Sequence, residues 1–360
     1  MELDINKINN NKSINNIIIN NNNVNKQDII PWVEKYRPTK LDNILYNDFI
    51  VNSIDQFLKQ KKLPNLLFYG PPGTGKTSLI TTIAKKYYKN NFNTMTLMIN
   101  ASEERGIETV RIRVKDFSMT RGYYEGEKNL PFKLVILDEI DLMTQDAQSI
   151  LKKIVQKYIN VRFCFICNIN NKIDPGIISC CTVFKFKPFP HTCLQEFVDN
   201  ICSKENFKVS QDSRNLIIDK SNGDLRKMLN ILQSIKMYIS NKNLQSEIVQ
   251  ENITSEILCS PLKNTVIDIL NFIQQNSLKK SIEYFTHIIK QDIIPLSEFI
   301  ESVFNILKQR IINDDKTIIK YSIKKISNII IRLNEVNNNL NKCDNEIFQI
   351  PTFIASFYLD

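Results

Sequence analysis

Gly70-Pro71-Pro72-Gly73-Thr74-Gly75-Lys76-Thr77-Ser78 follows the apolar run Leu66-Leu67-Phe68-Tyr69 and opens a helix-patterned segment. That context turns a glycine-lysine string into a phosphate cradle. Gly73 and Gly75 let the backbone bend so that several N–H groups converge on one anion, and the helix that follows adds the positive end of its dipole. Lys76 reaches the β- and γ-phosphates as a point charge, and Thr77 offers its hydroxyl to Mg²⁺, which prefers oxygen ligands. Glycine-rich turns between strand and helix are common, but here every fixed position of the motif is filled, with Lys76 and Thr77 adjacent. The stretch reads as a nucleoside-triphosphate site.

Outward from this loop, apolar strand-like runs recur at 66–69, 95–99, 134–137, 163–167 and 183–186, with helix-patterned stretches between most of them. This alternation predicts an α/β fold with a parallel sheet covered by helices. Before it, residues 1–28 are nearly a repeat of asparagine with scattered isoleucine and lysine, a composition that buries too little apolar surface to offset ordering entropy. They are expected to form a disordered arm. After Pro188-Phe189-Pro190 the apolar spacing is helical, and no further strand is expected. The predicted domains are therefore the arm 1–28, a nucleotide-binding domain 29–190, a small helical domain 191–258 and a second all-helical domain 259–360, in which Asn337-Asn338-Asn339 reads as a loop.

The 360 residues carry 47 basic and 38 acidic side chains, a net charge of +9 that makes a polyanion a plausible partner without identifying one. No apolar run approaches the roughly twenty residues that a membrane helix needs, and the N-terminus lacks the layout of a signal peptide. Membrane partners are not expected, and the chain should stay inside the cell. Eight cysteines without framework spacing fit a reducing compartment. Cys164-x-x-Cys167 with Cys180-Cys181 superficially resembles a zinc site. However, positions three apart on a strand face opposite sides and cannot share one ion.

Lys133-Leu134-Val135-Ile136-Leu137-Asp138-Glu139 is a buried-strand run that ends in two carboxylates, at the strand end where open α/β sheets bind ligands. Asp138 would hold Mg²⁺ through water, and Glu139 would take the proton of the attacking water or orient it. Asn168 closes the next strand and could position the same water, with a turn asparagine before Asn170-Asn171 as the lesser alternative. Arg226, in the small helical domain, reaches the γ-phosphate only if that domain folds over the site. Arg111 and Lys115 are four apart on a helix-patterned segment and form one basic face suited to phosphates.

At these residues the chain resembles the small subunits of replication factor C, the AAA+ clamp loader. The resemblance rests on 31–38 (Pro-Trp-Val-Glu-Lys-Tyr-Arg-Pro), 100–107 (Asn-Ala-Ser-Glu-Glu-Arg-Gly-Ile), Asp138-Glu139-Ile140-Asp141, Ala147-Gln148 and Gly223-Asp224-Leu225-Arg226, in order. It is most similar to the subunit numbered three in fungi and five in animals. The resemblance implies an AAA+ P-loop NTPase domain, a helical lid and an all-α collar. It implies a nuclear heteropentamer of replication factor C subunits that uses ATP and Mg²⁺ to open a sliding clamp, proliferating cell nuclear antigen, and load it on primer–template DNA. Residue by residue, it implies that Val33, Arg37 and Leu45 line the adenine end. Gly70, Pro71, Pro72, Gly73, Thr74, Gly75, Lys76, Thr77 and Ser78 hold the phosphates, Asn168 and Arg226 sense the nucleotide, and Arg105, Arg111 and Lys115 track DNA backbone.

One departure bears on mechanism. Ser179-Cys180-Cys181 stands where family members usually have serine-arginine-cysteine, the arginine of which enters the neighbouring subunit's site. An arginine finger is worth roughly 10³ to 10⁵ in turnover, so Cys180 keeps open the alternative of an architectural subunit that binds nucleotide and hydrolyses little.

Overall fold

The computed structural model describes residues 30–41, 46–103, 107–120, 132–242, 248–292, 294–313, 321–342 and 345–359. The expected arm at 1–28, Leu45 and Arg105 lie outside them. Two compact units divide the chain, Met1–Glu196 with Ser221–Gln233, and Phe197–Lys220 with Ser234–Asp360.

The first unit is built on five parallel strands, β1 Leu66–Tyr69, β2 Thr96–Asn100, β3 Lys133–Asp138, β4 Val161–Cys167 and β5 Thr182–Lys185, in the order β2-β3-β4-β1-β5. Both faces are covered, so β1, β3 and β4 read as continuous apolar runs rather than alternating ones. Successive side chains nevertheless part to opposite faces. Leu66, Phe68, Leu134, Ile136, Cys164 and Ile166 pack with helices α1 Asp48–Lys59 and α2 Lys76–Tyr88 through Ile54, Leu79, Ile80 and Ile83. Leu67, Val135, Leu137, Phe163, Phe165 and Cys167 pack on the other face, with α3 Ile107–Met119 through Val114 and α4 Gln145–Lys157 through Leu151 and Val155. Cys164 and Cys167 thus belong to different cores, as the strand period requires.

A buried lysine ties the start of β3 to the end of α3. Lys133 Nζ donates to the Phe117 carbonyl at 2.7 Å, to Thr120 Oγ1 at 2.8 Å and to the Thr120 carbonyl, above the Phe117 ring. These contacts satisfy terminal carbonyls of α3 that have no partner within the helix. Burial lowers the Lys133 pKa, since the charged form loses water there.

The second unit is helical, with a core centred on Phe285, Phe299 and Phe353, whose rings meet pairwise with centroids 4.9 to 5.9 Å apart. Within it the buried Lys220 ammonium pairs with Glu298 at 2.6 Å and Glu301 at 3.4 Å. Two expectations are corrected here. Lys208–Val209 pairs in parallel with Ile248–Val249, a two-strand contact too short to leave a periodic signal. Asn337-Asn338-Asn339 lies inside the helix Ile323–Leu340 rather than in a loop. Ile326, Ile329, Leu333 and Val336 recur at helical spacing and are all buried, so packing of that stripe overrides the weak helix propensity of asparagine.

Burial pushes the thiol pKa of Cys167, Cys181 and Cys202 up to about 12 and also raises that of the fully buried Cys164, whereas Cys259 is exposed. An alkylating reagent at about pH 8 will therefore modify Cys259 rapidly, and these four only on unfolding, because the thiolate is the nucleophile. Mass mapping of the native and denatured protein checks this order. Fast native labelling of Cys167 would contradict the burial of β4.

Candidate nucleotide-binding site

The sheet order decides where the site lies. The helix that follows β1 leads the chain across to the edge strand β2, while β5 pairs on the other flank of β1, so the carboxyl end of β1 is the switch point where open α/β sheets bind ligands. Tyr69 is level with Cys167 of β4 and Lys185 of β5, which sets Gly70 beside Asn168 on one side and Phe186 on the other. Gly70 has φ 148°, and a Cβ there would collide with the Phe186 carbonyl oxygen. Gly75, at φ 85° and in the N-cap position of α2, would send a Cβ into open space. The first turn of α2 carries no acidic residue, so its N–H groups and dipole would favour an anion in that open space.

Lys76 and Thr77 are buried at the start of α2. The Lys76 ammonium donates to the Gly70 and Pro71 carbonyls, both at 2.7 Å, and to Asn168 Oδ1 at 3.0 Å. Burial lowers its pKa, and the nearby Asp138 carboxylate opposes that fall. Thr77 Oγ1 donates to Asp138 Oδ2 at 2.6 Å. The other Asp138 oxygen accepts the Glu139 backbone N–H at 2.9 Å. Glu139 has the left-handed backbone φ 57° ψ 37°, a conformation that costs a non-glycine residue free energy and occurs preferentially at functional sites. Four of the residues singled out from the sequence therefore meet in two hydrogen-bonded pairs, Lys76 with Asn168 and Thr77 with Asp138, and Glu139 is adjacent.

Arg226 is exposed, and its charge is close enough to depress the Lys76 pKa further. Its helix, Leu225–Asn241, starts against the phosphate loop: a Cβ on Gly73 would collide with the Asp224 carboxylate, which caps that helix through the Arg226 backbone N–H at 2.8 Å. Val33 is half-buried and Arg37 is exposed, paired with Glu34 at 3.1 Å. Their segment is held to the middle of α2 by Thr82 Oγ1 donating to the Pro38 carbonyl at 2.9 Å, and to Gln233 Oε1 by the Trp32 backbone N–H at 3.0 Å. Arg111 and Lys115 both lie on the exposed side of α3, with Val114 buried between them in sequence.

Three contributing residues escape a residue-by-residue sequence reading. Asp141 Oδ2 accepts the backbone N–H groups of Asn168 and Ile169, both at 3.2 Å, and so sets the end of β4 against the acidic turn after β3. Gln148, fully buried in α4, donates to the Lys172 carbonyl at 3.0 Å and accepts from the Asp174 N–H at 2.7 Å. Asp224 is the third. Each was visible only as a member of a longer box, because its role is a contact to backbone distant in sequence.

Residues 66–189 match the family described as "ATPase family associated with various cellular activities (AAA)", and residues 197–237 match "RCF1/5-like, AAA+ ATPase lid domain". The chain is 33% identical to "Replication factor C subunit 3" of Saccharomyces cerevisiae, over 91% of this chain and 92% of that protein. It is 40% identical to human "Replication factor C subunit 5" over 68% of this chain and 69% of that one. Among solved structures, the RuvB Holliday junction branch migration motor of Thermotoga maritima matches with a TM-score of 0.51 at 13% identity, over 74% of this chain and 91% of that chain. At that identity the likeness shows the fold alone.

The glycine geometry separates two effects. Gly75→Ala introduces backbone strain of roughly 1–3 kcal/mol and a methyl group inside the anion cradle. Gly70→Ala adds a collision with the backbone of the β5 end. Thermal unfolding of the nucleotide-free protein will therefore show Gly70→Ala as the less stable variant, and Gly75→Ala will lose most of the stabilisation that added ATP gives the unaltered protein. An intact ATP-induced shift in Gly75→Ala would place the phosphates elsewhere.

Proposed function

The chain belongs to the small subunits of replication factor C, and from that membership we propose that it works as an ATP-driven subunit of a clamp-loading ring. In this reading it assembles with other replication factor C subunits in the nucleus, opens the sliding clamp proliferating cell nuclear antigen, and helps place it on primer–template DNA. The observation that carries the proposal is the convergence of Lys76, Asn168, Thr77 and Asp138 at the carboxyl edge of the sheet, beside an open glycine cradle.

When the triphosphate arrives, the Lys76 ammonium exchanges its carbonyl acceptors for β- and γ-phosphate oxygens. Asn168 is then released to hold the attacking water. Thr77 and Asp138 present oxygen donors within 2.6 Å of each other, a donor set that fits Mg²⁺. The bound ion would neutralise charge on the phosphate oxygens. Glu139 takes the proton of the water as its oxygen bonds to the γ-phosphorus and the bond to the β-phosphate oxygen breaks. Arg226, on the helix that Asp224 caps beside the phosphate loop, approaches the γ-phosphate and ties that helix to the nucleotide state. Val33, Arg37 and Leu45 belong to the adenine end in this reading, and Arg105, Arg111 and Lys115 to the DNA-facing surface. Cys180, half-buried after the short helix Pro175–Ile178, supplies no cation, so the neighbouring site must turn over slowly or draw its positive charge from another residue.

In the reconstituted ring, Lys76→Ala will lose nucleotide binding at this subunit. Glu139→Gln will keep it while this subunit's turnover falls by about 10²-fold or more, as expected when a general base is removed. An unchanged ring ATPase in Glu139→Gln would favour the architectural alternative.

Neutralising Arg111 and Lys115 together will weaken DNA binding about equally across sequences and flatten the log–log salt dependence by about 2, since each phosphate contact contributes about 0.9. Titrations at several salt concentrations on two unrelated sequences check this, and a sequence-dependent loss would contradict it.

A further inference from the structure

A cavity of roughly 270 Å³ opens between α1 and the second half of α2, within the first unit. Leu41, Val51, Leu58, Ile83 and Tyr87 form its apolar wall. Around the mouth stand Lys59, Lys61, Lys86 and Lys89, with Asp55 as the one carboxylate among the described lining residues, a balance of +3 over those residues. The lysines are exposed. Asp55 is already committed to two of them, at 2.7 Å from Lys59 and 3.8 Å from Lys86, so among the described lining residues basic charge is in excess. The site is separate from the nucleotide cradle: Lys86 is ten residues along α2 from Lys76, about 15 Å at the rise of an α-helix.

Neither the proposed hydrolysis nor the DNA-facing surface uses these residues. The cavity lies at the lower end of the ~300–1,000 Å³ of ordinary small-molecule sites and has room for a bulky side chain. Its wall is mainly aliphatic, which suits an aliphatic or aromatic side chain better than a base, and a phosphodiester backbone has no use for an apolar recess. A ring of ammonium groups around an apolar recess is complementary to carboxylates that flank an apolar anchor. We propose that this recess is a docking site for an acidic peptide segment of a partner protein, with one leucine or phenylalanine side chain entering the cavity and flanking carboxylates meeting Lys59, Lys61, Lys86 and Lys89.

The test uses the assembled ring and a fluorescein-labelled octapeptide of glutamate and aspartate around one central phenylalanine, read by anisotropy. Specific binding should weaken by about fivefold or more when Lys61 and Lys86 are both changed to Glu, and by a comparable factor in Val51→Phe, which fills the recess without touching the rim. ATPase activity of both variants should match that of the unaltered ring, which also reports that they fold. Replacing the peptide's phenylalanine with serine should abolish most of the binding. The proposal is overturned if no binding occurs up to about 1 mM, or if the serine peptide binds as well, which would mean charge attraction alone. It is equally overturned if a single-stranded oligonucleotide of the same charge displaces the peptide and is itself weakened by Val51→Phe, since the recess would then belong to nucleic acid.

Discussion

The site depends on one buried ammonium. Lys76 sits where β1 ends between β4 and β5, and its three donors are occupied by the Gly70 and Pro71 carbonyls and by Asn168. A buried charge is tolerable only when it is fully hydrogen-bonded, so the loop must curl back on its own lysine and the end of β4 must reach across. The loop is therefore held in shape by its own lysine.

From that lysine the connections run outward through backbone contacts. Asn168 is fixed by Asp141, which belongs to the same acidic turn as Asp138 and Glu139. Gln148 links α4 to the loop after β4, and Asp224 stands against Gly73. A change in what Lys76 holds is thus felt by the strand end, by the acidic turn and by the start of the Leu225–Asn241 helix. Such a layout suits an ATPase whose output is a change of shape, because the groups that contact the nucleotide also hold the elements that would move. The strained Glu139 backbone lies at the centre of that layout.

The lysine-ringed recess is a different kind of feature. It borrows the C-terminal half of the same helix whose N-terminus is proposed to receive phosphate, and its described lining is apolar or carries paired and exposed charges. Recognition and turnover are thereby kept on opposite ends of one rigid element.

Much of the molecule could be read from local pattern. Gly70 through Ser78 pointed to a triphosphate site, and the buried run that ends in Asp138-Glu139 to its second half, because such functions need fixed residue types at short spacing. The five strands were legible to within two residues at each end, since burial on both faces writes an unbroken apolar run. What the sequence left open was decided by contacts between distant segments. The choice of Asn168 as a partner of Lys76 rather than a turn residue came from the β1–β4 register. The helical state of Asn337-Asn338-Asn339 came from the buried stripe beneath it, and the places of Asp141, Gln148 and Asp224 came from backbone groups that only folding brings near. Local spacing records which chemistry a segment can perform; which groups share one site depends on strand order and packing, which a linear pattern does not contain.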